Sequence, residues 1–200
     1  MCLNKGRDLV DLDDIQLVER TQRGDQQAFS QLFAKYQKKV FNLCFRFVDD
    51  YEEAKDLTQE TFVRVYNGIK KFRREASFST WLYCIASNTC KNKLRHWKTQ
   101  PNLMSLDETF ETEDDEMTRQ VEDKSDLSPL VKAETKEVQE QVQTAIKSLS
   151  VEHREVIILR DIQGCSYEEI AAALGCNLGT VKSRLSRARL ELKDRLKGSI

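Results

Sequence analysis

The sequence predicts an all-α protein: two small helical domains joined by an acidic flexible linker, the C-terminal one ending in a helix-turn-helix. Three observations carry this. Two prolines and seven glycines in 200 residues are too few punctuators for a turn-rich β protein. Apolar residues recur at three- and four-residue spacing over long stretches, and no alternating run exceeds a few residues. The charge, −1 overall, is sorted along the chain into basic, acidic and basic blocks.

Residues 1–12 read as a loose terminus, after which Asp13 or Asp14 caps a short helix carrying Ile15, Leu17 and Val18 and ended by Gly24. Asp25 opens a longer helix through Val48, in which Ala28, Phe29, Leu32, Phe33, Tyr36, Val40, Phe41, Leu43, Cys44 and Phe47 follow a helical period. So many large apolar positions on one helix demand a core. Asp50 with Glu53 starts a third helix to about Ile69, with Ala54, Leu57, Thr61, Phe62, Val65 and Tyr66 inward. Lys55, Asp56, Gln59, Glu60 and Arg64 remain on its polar face.

A short loop then holds Lys70, Lys71, Phe72, Arg73 and Arg74, and a fourth helix covers about 78–97. Aromatic and basic residues interleave here. That mixture suits unpaired nucleic acid, whose bases stack on rings while cations neutralise the backbone; each stacked base is worth about 1–3 kcal/mol. Leu82 and Ile85 are expected inside and Phe72, Asn88, Lys91 and Arg95 outside, with Trp81 open between core and base contact.

Residues 62–98 hold nine Lys/Arg against Glu75 alone, and residues 99–129 hold ten Asp/Glu against Arg119 and Lys124. The second block has no sustained helical period and reads as a solvated tether. The domains are therefore 13–98 and 130–197, with 99–129 between them. In the second, Val138, Val142, Ala145, Ile146 and Leu149 form one helix. Ser150 caps the next, whose buried set is Val156, Ile157, Leu159 and Ile162, ended at Gly164.

Residues 166–193 complete the chain's most specific pattern. Ser166 and Glu169 can close a capping box, Gly175 supplies the left-handed turn, and Asn177 can cap a helix bearing Val181, Leu185, Ala188 and Leu192. Its other face carries Lys182, Ser183, Arg184, Ser186, Arg187 and Arg189. A helix held this way, basic and hydroxyl groups outward, can enter a DNA major groove. Residues 178–197 count seven basic against two acidic side chains.

The chain offers little for other chemistries. The six cysteines form no CxxC pair, and Cys44, Cys84 and Cys90 sit in apolar helical patterns, so they read as small core residues; no metal or cofactor is expected. His96 and His153 are the only histidines, and no phosphate-cradling glycine loop or ligand-spaced cluster points to an enzyme such as a helical nuclease. With no signal peptide and no bilayer-long apolar run, the expected compartment is the cytoplasm.

The ordered set Asp56-Leu57-Thr58-Gln59-Glu60-Thr61-Phe62, Phe78-Ser79-Thr80-Trp81-Leu82-Tyr83, Ile85-Ala86-Ser87-Asn88, Arg154-Glu155-Val156, Ser166-Tyr167-Glu168-Glu169-Ile170-Ala171, and Gly179-Thr180-Val181-Lys182-Ser183-Arg184-Leu185 with Arg187-Ala188-Arg189 resembles the extracytoplasmic-function (group 4) sigma factors of bacterial RNA polymerase, of the sigma-70 family. Asn177 stands where that family often has proline.

The resemblance implies a subunit that directs core RNA polymerase to promoters and helps to open them. It implies that Asp56, Leu57, Gln59 and Glu60 bind the polymerase. It assigns Phe72, Arg73, Arg74, Trp81, Asn88, Lys91 and Arg95 to the −10 element and its melted non-template strand, with Asn88 as the foremost base contact. It assigns Lys182, Ser183, Arg184, Ser186 and Arg187 to the duplex −35 element. The acidic linker would thread polymerase channels, and an anti-sigma factor, in some cases at the membrane, would restrain the protein. No small-molecule substrate is implied. The rival reading is a self-standing helix-turn-helix regulator acting as a dimer on paired half-sites.

Overall fold

The computed structural model describes residues 5–99 and 129–197; nearly all of the acidic tether and Cys2 lie outside the described residues. Among the described residues there are helices and no strand: α1 (Lys5–Gln22), α2 (Gln26–Val48), α3 (Tyr51–Gly68), a 3₁₀ turn (Ile69–Lys71), α4 (Phe78–Thr99), α5 (Pro129–Ser148), α6 (Val151–Ile157) running into a π turn (Ile158–Ile162), α7 (Tyr167–Leu174) and α8 (Leu178–Lys197). None is long and apolar enough to cross a membrane.

Helix α2 is the axis of the first unit. Asp25 Oδ1 accepts from the backbone N–H groups of Gln27 (2.9 Å) and Ala28 (3.1 Å), two donors that the first turn leaves orphaned. Leu32, Val40, Leu43, Cys44 and Phe47 are fully buried on it, with α1, α3 and α4 packed around them. Burying each such large apolar side chain contributes about 1.5–3 kcal/mol. Asp50 caps α3 by accepting from Glu53 N at 2.8 Å.

The structure departs from the sequence expectation at the first helix start, at its cap and at Ile162. The first helix begins at Lys5, upstream of Asp13 and Asp14. Asp14 is no cap: it is 2% exposed, accepts a hydrogen bond from Tyr36 Oη, and pairs with Lys35 Nζ at 2.5 Å, so its carboxylate serves α2 and not its own helix end. In the second unit Ile162 is 38% exposed, because the π turn adds a residue to the helix and rotates that position outward.

The two units pack against each other. The apolar core of the first is continuous with Ile158, Leu159, Cys165, Ile170 and Val181 of the second. Around this seam Arg154, itself buried, donates to Phe47 O and Lys147 O, Gln143 Nε2 donates to Phe45 O at 3.3 Å, and Lys147 pairs with Asp49 at 2.9 Å.

Candidate nucleic-acid interface

The α3–α4 connection brings the aromatic residues together. Phe72 stacks on Trp81 with ring centroids 4.8 Å apart and planes 33° apart, and meets Phe78 edge-on at 6.2 Å. Phe72 and Trp81 are both half-buried, one side on the core and the other toward solvent. Trp81 lies over the end of α3, where a Cβ on Gly68 would sit 3.4 Å from its ring. Arg73 and Arg74 are exposed beside this stack, Arg74 pairing with Glu19 at 2.6 Å.

Seven- and fourteen-residue steps from Trp81 along α4 give Asn88 and Arg95, both exposed, so the three form one stripe. The neighbouring stripe of Thr80, Cys84, Ser87 and Lys91 is covered by the second unit. Thr80 Oγ1 donates to Glu169 Oε1 at 2.9 Å, Ser87 Oγ to Glu155 Oε1 at 2.6 Å, and Lys91 Nζ reaches the same Glu155 oxygen at 2.7 Å. Lys91, expected outside among the −10 residues, keeps only 16% of its side chain exposed here. Asn88 and Lys91 are three residues apart and adjacent on the helix surface, so periodicity alone could not tell which side of the boundary each takes.

The helix-turn-helix follows its sequence pattern closely. Ser166 Oγ accepts from Glu169 N while Glu169 Oε2 accepts from Ser166 N at 2.8 Å, the reciprocal capping box. Burial raises the Glu169 carboxyl pKa, but hydrogen bonds from Ser166, Thr80 and Ser77 outweigh it and leave the group below its ordinary value. Gly175 turns at φ 62°, and Asn177 Oδ1 accepts from Thr180 N at 2.7 Å, so asparagine performs the cap.

Val181, Leu185 and Ala188 are buried against α6 and α7, which leaves Lys182, Ser183, Ser186 and Arg187 exposed and Arg184 half-exposed. Arg189 is held differently: its guanidinium forks onto Asp161 of the π turn at 3.0 and 2.5 Å. That pair ties α8 to the π turn at the end of α6.

Residues 32–99 match the family model for Sigma-70 region 2 and residues 139–192 that for Sigma-70, region 4. The RNA polymerase sigma-H factor of Pseudomonas aeruginosa is 40% identical over 183 residues, covering 90% of this chain and 92% of the relative. The ECF RNA polymerase sigma-E factor of Escherichia coli (strain K12) is also 40% identical, over 185 residues, covering 92% of this chain and 95% of the relative. The chain belongs to the extracytoplasmic-function sigma factors.

Solved structures of CnrH in complex with the cytosolic domain of CnrY, and of the sigma factor RpoE in complex with the anti-sigma factor NepR from Bartonella quintana, share the fold. Their TM-scores are 0.66 and 0.60, each at 24% identity, and they cover 94% and 84% of this chain and 99% and 96% of their own. As a sigma factor, the protein directs core RNA polymerase to specific promoters and takes part in transcription initiation.

A third surface of this sigma factor lies on α3. Asp56, Gln59 and Glu60 are exposed, Glu60 gripping Arg64 at 2.6 and 3.0 Å, whereas Leu57 is 2% exposed and belongs to the core. Sequence reading missed the apolar part of this face. Val63 is 60% exposed, Tyr66 47% and Phe33 of α2 36%, although Tyr66 and Phe33 were expected inside. Tyr66 rests edge-on against Phe29 at 4.9 Å and Phe33 against Phe62 at 4.6 Å, so these rings cap the core with one side turned out.

Proposed function

We propose a division of labour within this sigma factor. Phe72, Arg73, Arg74, Trp81, Asn88 and Arg95 of the first unit capture unpaired non-template bases at the −10 element. Lys182, Ser183, Arg184, Ser186 and Arg187 read the duplex −35 element. The observation that supports this most is the Phe72–Trp81 stack, half-open and flanked on one helix stripe by an exposed amide and an exposed guanidinium. Such a surface suits splayed bases and not a paired groove, since every base offers a ring face once unstacked. The exposed basic and hydroxyl stripe of α8 suits major-groove edges and phosphates.

Asp56, Gln59 and Glu60 with Val63, Tyr66 and Phe33 form the surface for core polymerase, an apolar centre with an acidic and amide rim. Leu57 supports that surface from beneath. Lys91 contributes to the −10 surface only when the second unit leaves α4. An anti-sigma factor, the partner class named in the RpoE–NepR complex, restrains the protein in the cytoplasm.

Run-off transcription with purified core polymerase and genomic templates tests the whole assignment. Discrete transcripts that appear only with both proteins are the expected result. Promoter binding by the isolated chain as a dimer, without core polymerase, would instead support a self-standing regulator.

A further inference from the structure

The loop that carries Phe72 is fixed from an element that bears none of the proposed DNA contacts. Gln22, at the last position of α1, sends its side-chain amide forty-seven and fifty residues along the chain. Nε2 donates to Ile69 O at 2.8 Å and to Phe72 O at 3.2 Å. Three residues earlier on the same face of α1, Glu19 holds Arg74 at 2.6 Å. The backbone is thus gripped before and at Phe72, and the Arg74 side chain is held just after it.

The path so held is not one the loop would choose freely. The 3₁₀ turn closes with Phe72 N donating to Ile69 O at 3.1 Å, Phe72 itself is extended at φ −67°, ψ 117°, and Arg74 is left-handed at φ 62°. A non-glycine residue enters that region at a cost and stays there only when its surroundings impose it. The amide of Gln22 is a neutral two-hydrogen donor, matched to two carbonyls that the end of α3 and the 3₁₀ turn leave facing α1.

We propose that Gln22, with Glu19, is a positioning residue for promoter opening. It pre-sets the Phe72 loop so that the open face of the Phe72–Trp81 stack meets a flipped base without first being ordered. This rests on the reading of Phe72 as a base-capturing residue and deepens it. Gln22 acts through the two carbonyls and does not touch DNA. A loop that must be ordered on binding loses affinity for its ligand, by about tenfold for one or two side chains' worth of ordering.

The test uses holoenzyme assembled from core polymerase and the full chain, on a promoter found by run-off transcription. Gln22→Met keeps length and neutrality but has no donor, and Phe72→Ala serves as the reference. Core affinity, duplex promoter capture, opening rate and binding of the −10 non-template oligonucleotide against a scrambled one are measured together. For Gln22→Met the expected result is an opening rate and oligonucleotide discrimination lowered about tenfold, with core affinity and duplex capture unchanged.

Normal opening in Gln22→Met with slow opening in Phe72→Ala overturns the positioning role and leaves base capture standing. Equal losses in core affinity, capture and opening reduce Gln22 to a fold-holding residue and also overturn it. Normal opening in Phe72→Ala removes the base-capture reading on which the proposal stands.

Discussion

Lys91 and Arg95 lie one turn apart on α4 but sit in different surroundings. Lys91 ends on Glu155, whose side chain is 3% exposed, while Arg95 is exposed beside Asn92, which accepts from its guanidinium at 3.0 Å. Removing one partner of a buried pair leaves the other charge unpaired, so Lys91→Ala should cost about 1–3 kcal/mol in denaturant unfolding, discounted because the lysine is partly solvated. Single-strand affinity of the isolated chain should scarcely change. Arg95→Ala should do the reverse: unfolding stability within about 0.5 kcal/mol of the parent and a salt dependence of single-strand binding shallower by about 0.7. Urea titration alongside a salt series of oligonucleotide binding checks both.

At the level of elements, most of the chain could be read from the sequence because each helix carries its own start and stop chemistry. Asp25, Asp50, Ser150 and Ser166 all cap as their side chains suggest, and Gly175 and Asn177 make the turn between α7 and α8. What spacing could not supply was contact between elements. Asp14 looked like a cap and is instead a partner of Tyr36 across two helices, and Ile162 kept its helical period until a π turn moved it outward. Tyr66 fitted the inward stripe of α3 but lies at its margin, where an aromatic ring can lean on Phe29 and still meet water.

The capping box of α7 also makes a prediction about pH. Glu169 has a depressed carboxyl pKa in the folded protein, so its stabilisation is fully present above the ordinary carboxylate range and disappears as pH falls through the lowered value. Glu169→Gln removes that titration. Thermal unfolding followed from neutral to acid pH should therefore show the parent losing stability more steeply than the variant, the two curves converging at low pH.

On the scale of the whole molecule, the sequence shows two helical units and a charged strip between them, but not that the units share a core. That seam is built from Ile158, Cys165 and Ile170 joined to the core of the first unit, plus the Ser87–Glu155 and Phe47–Arg154 contacts, all between residues far apart in sequence. Glu155→Gln should loosen it, since the half-buried Lys91 loses its counter-charge while neither unit loses a helix. X-ray scattering should then show a larger radius of gyration for the free protein, with helix content unchanged by circular dichroism.

Both proposed DNA surfaces stay open in this packed form, because the seam uses the Thr80–Lys91 stripe of α4 and the buried side of α8. The central claim, that one unit captures melted bases while the other holds duplex, is therefore tested by Asn88→Ala and Arg187→Ala in the holoenzyme. Duplex capture is measured at low temperature and strand opening by permanganate reactivity on warming. Asn88→Ala should capture normally and open slowly; Arg187→Ala should capture weakly and, once saturated with promoter, open at the parent rate. The same defect in both steps for the two variants would contradict the division.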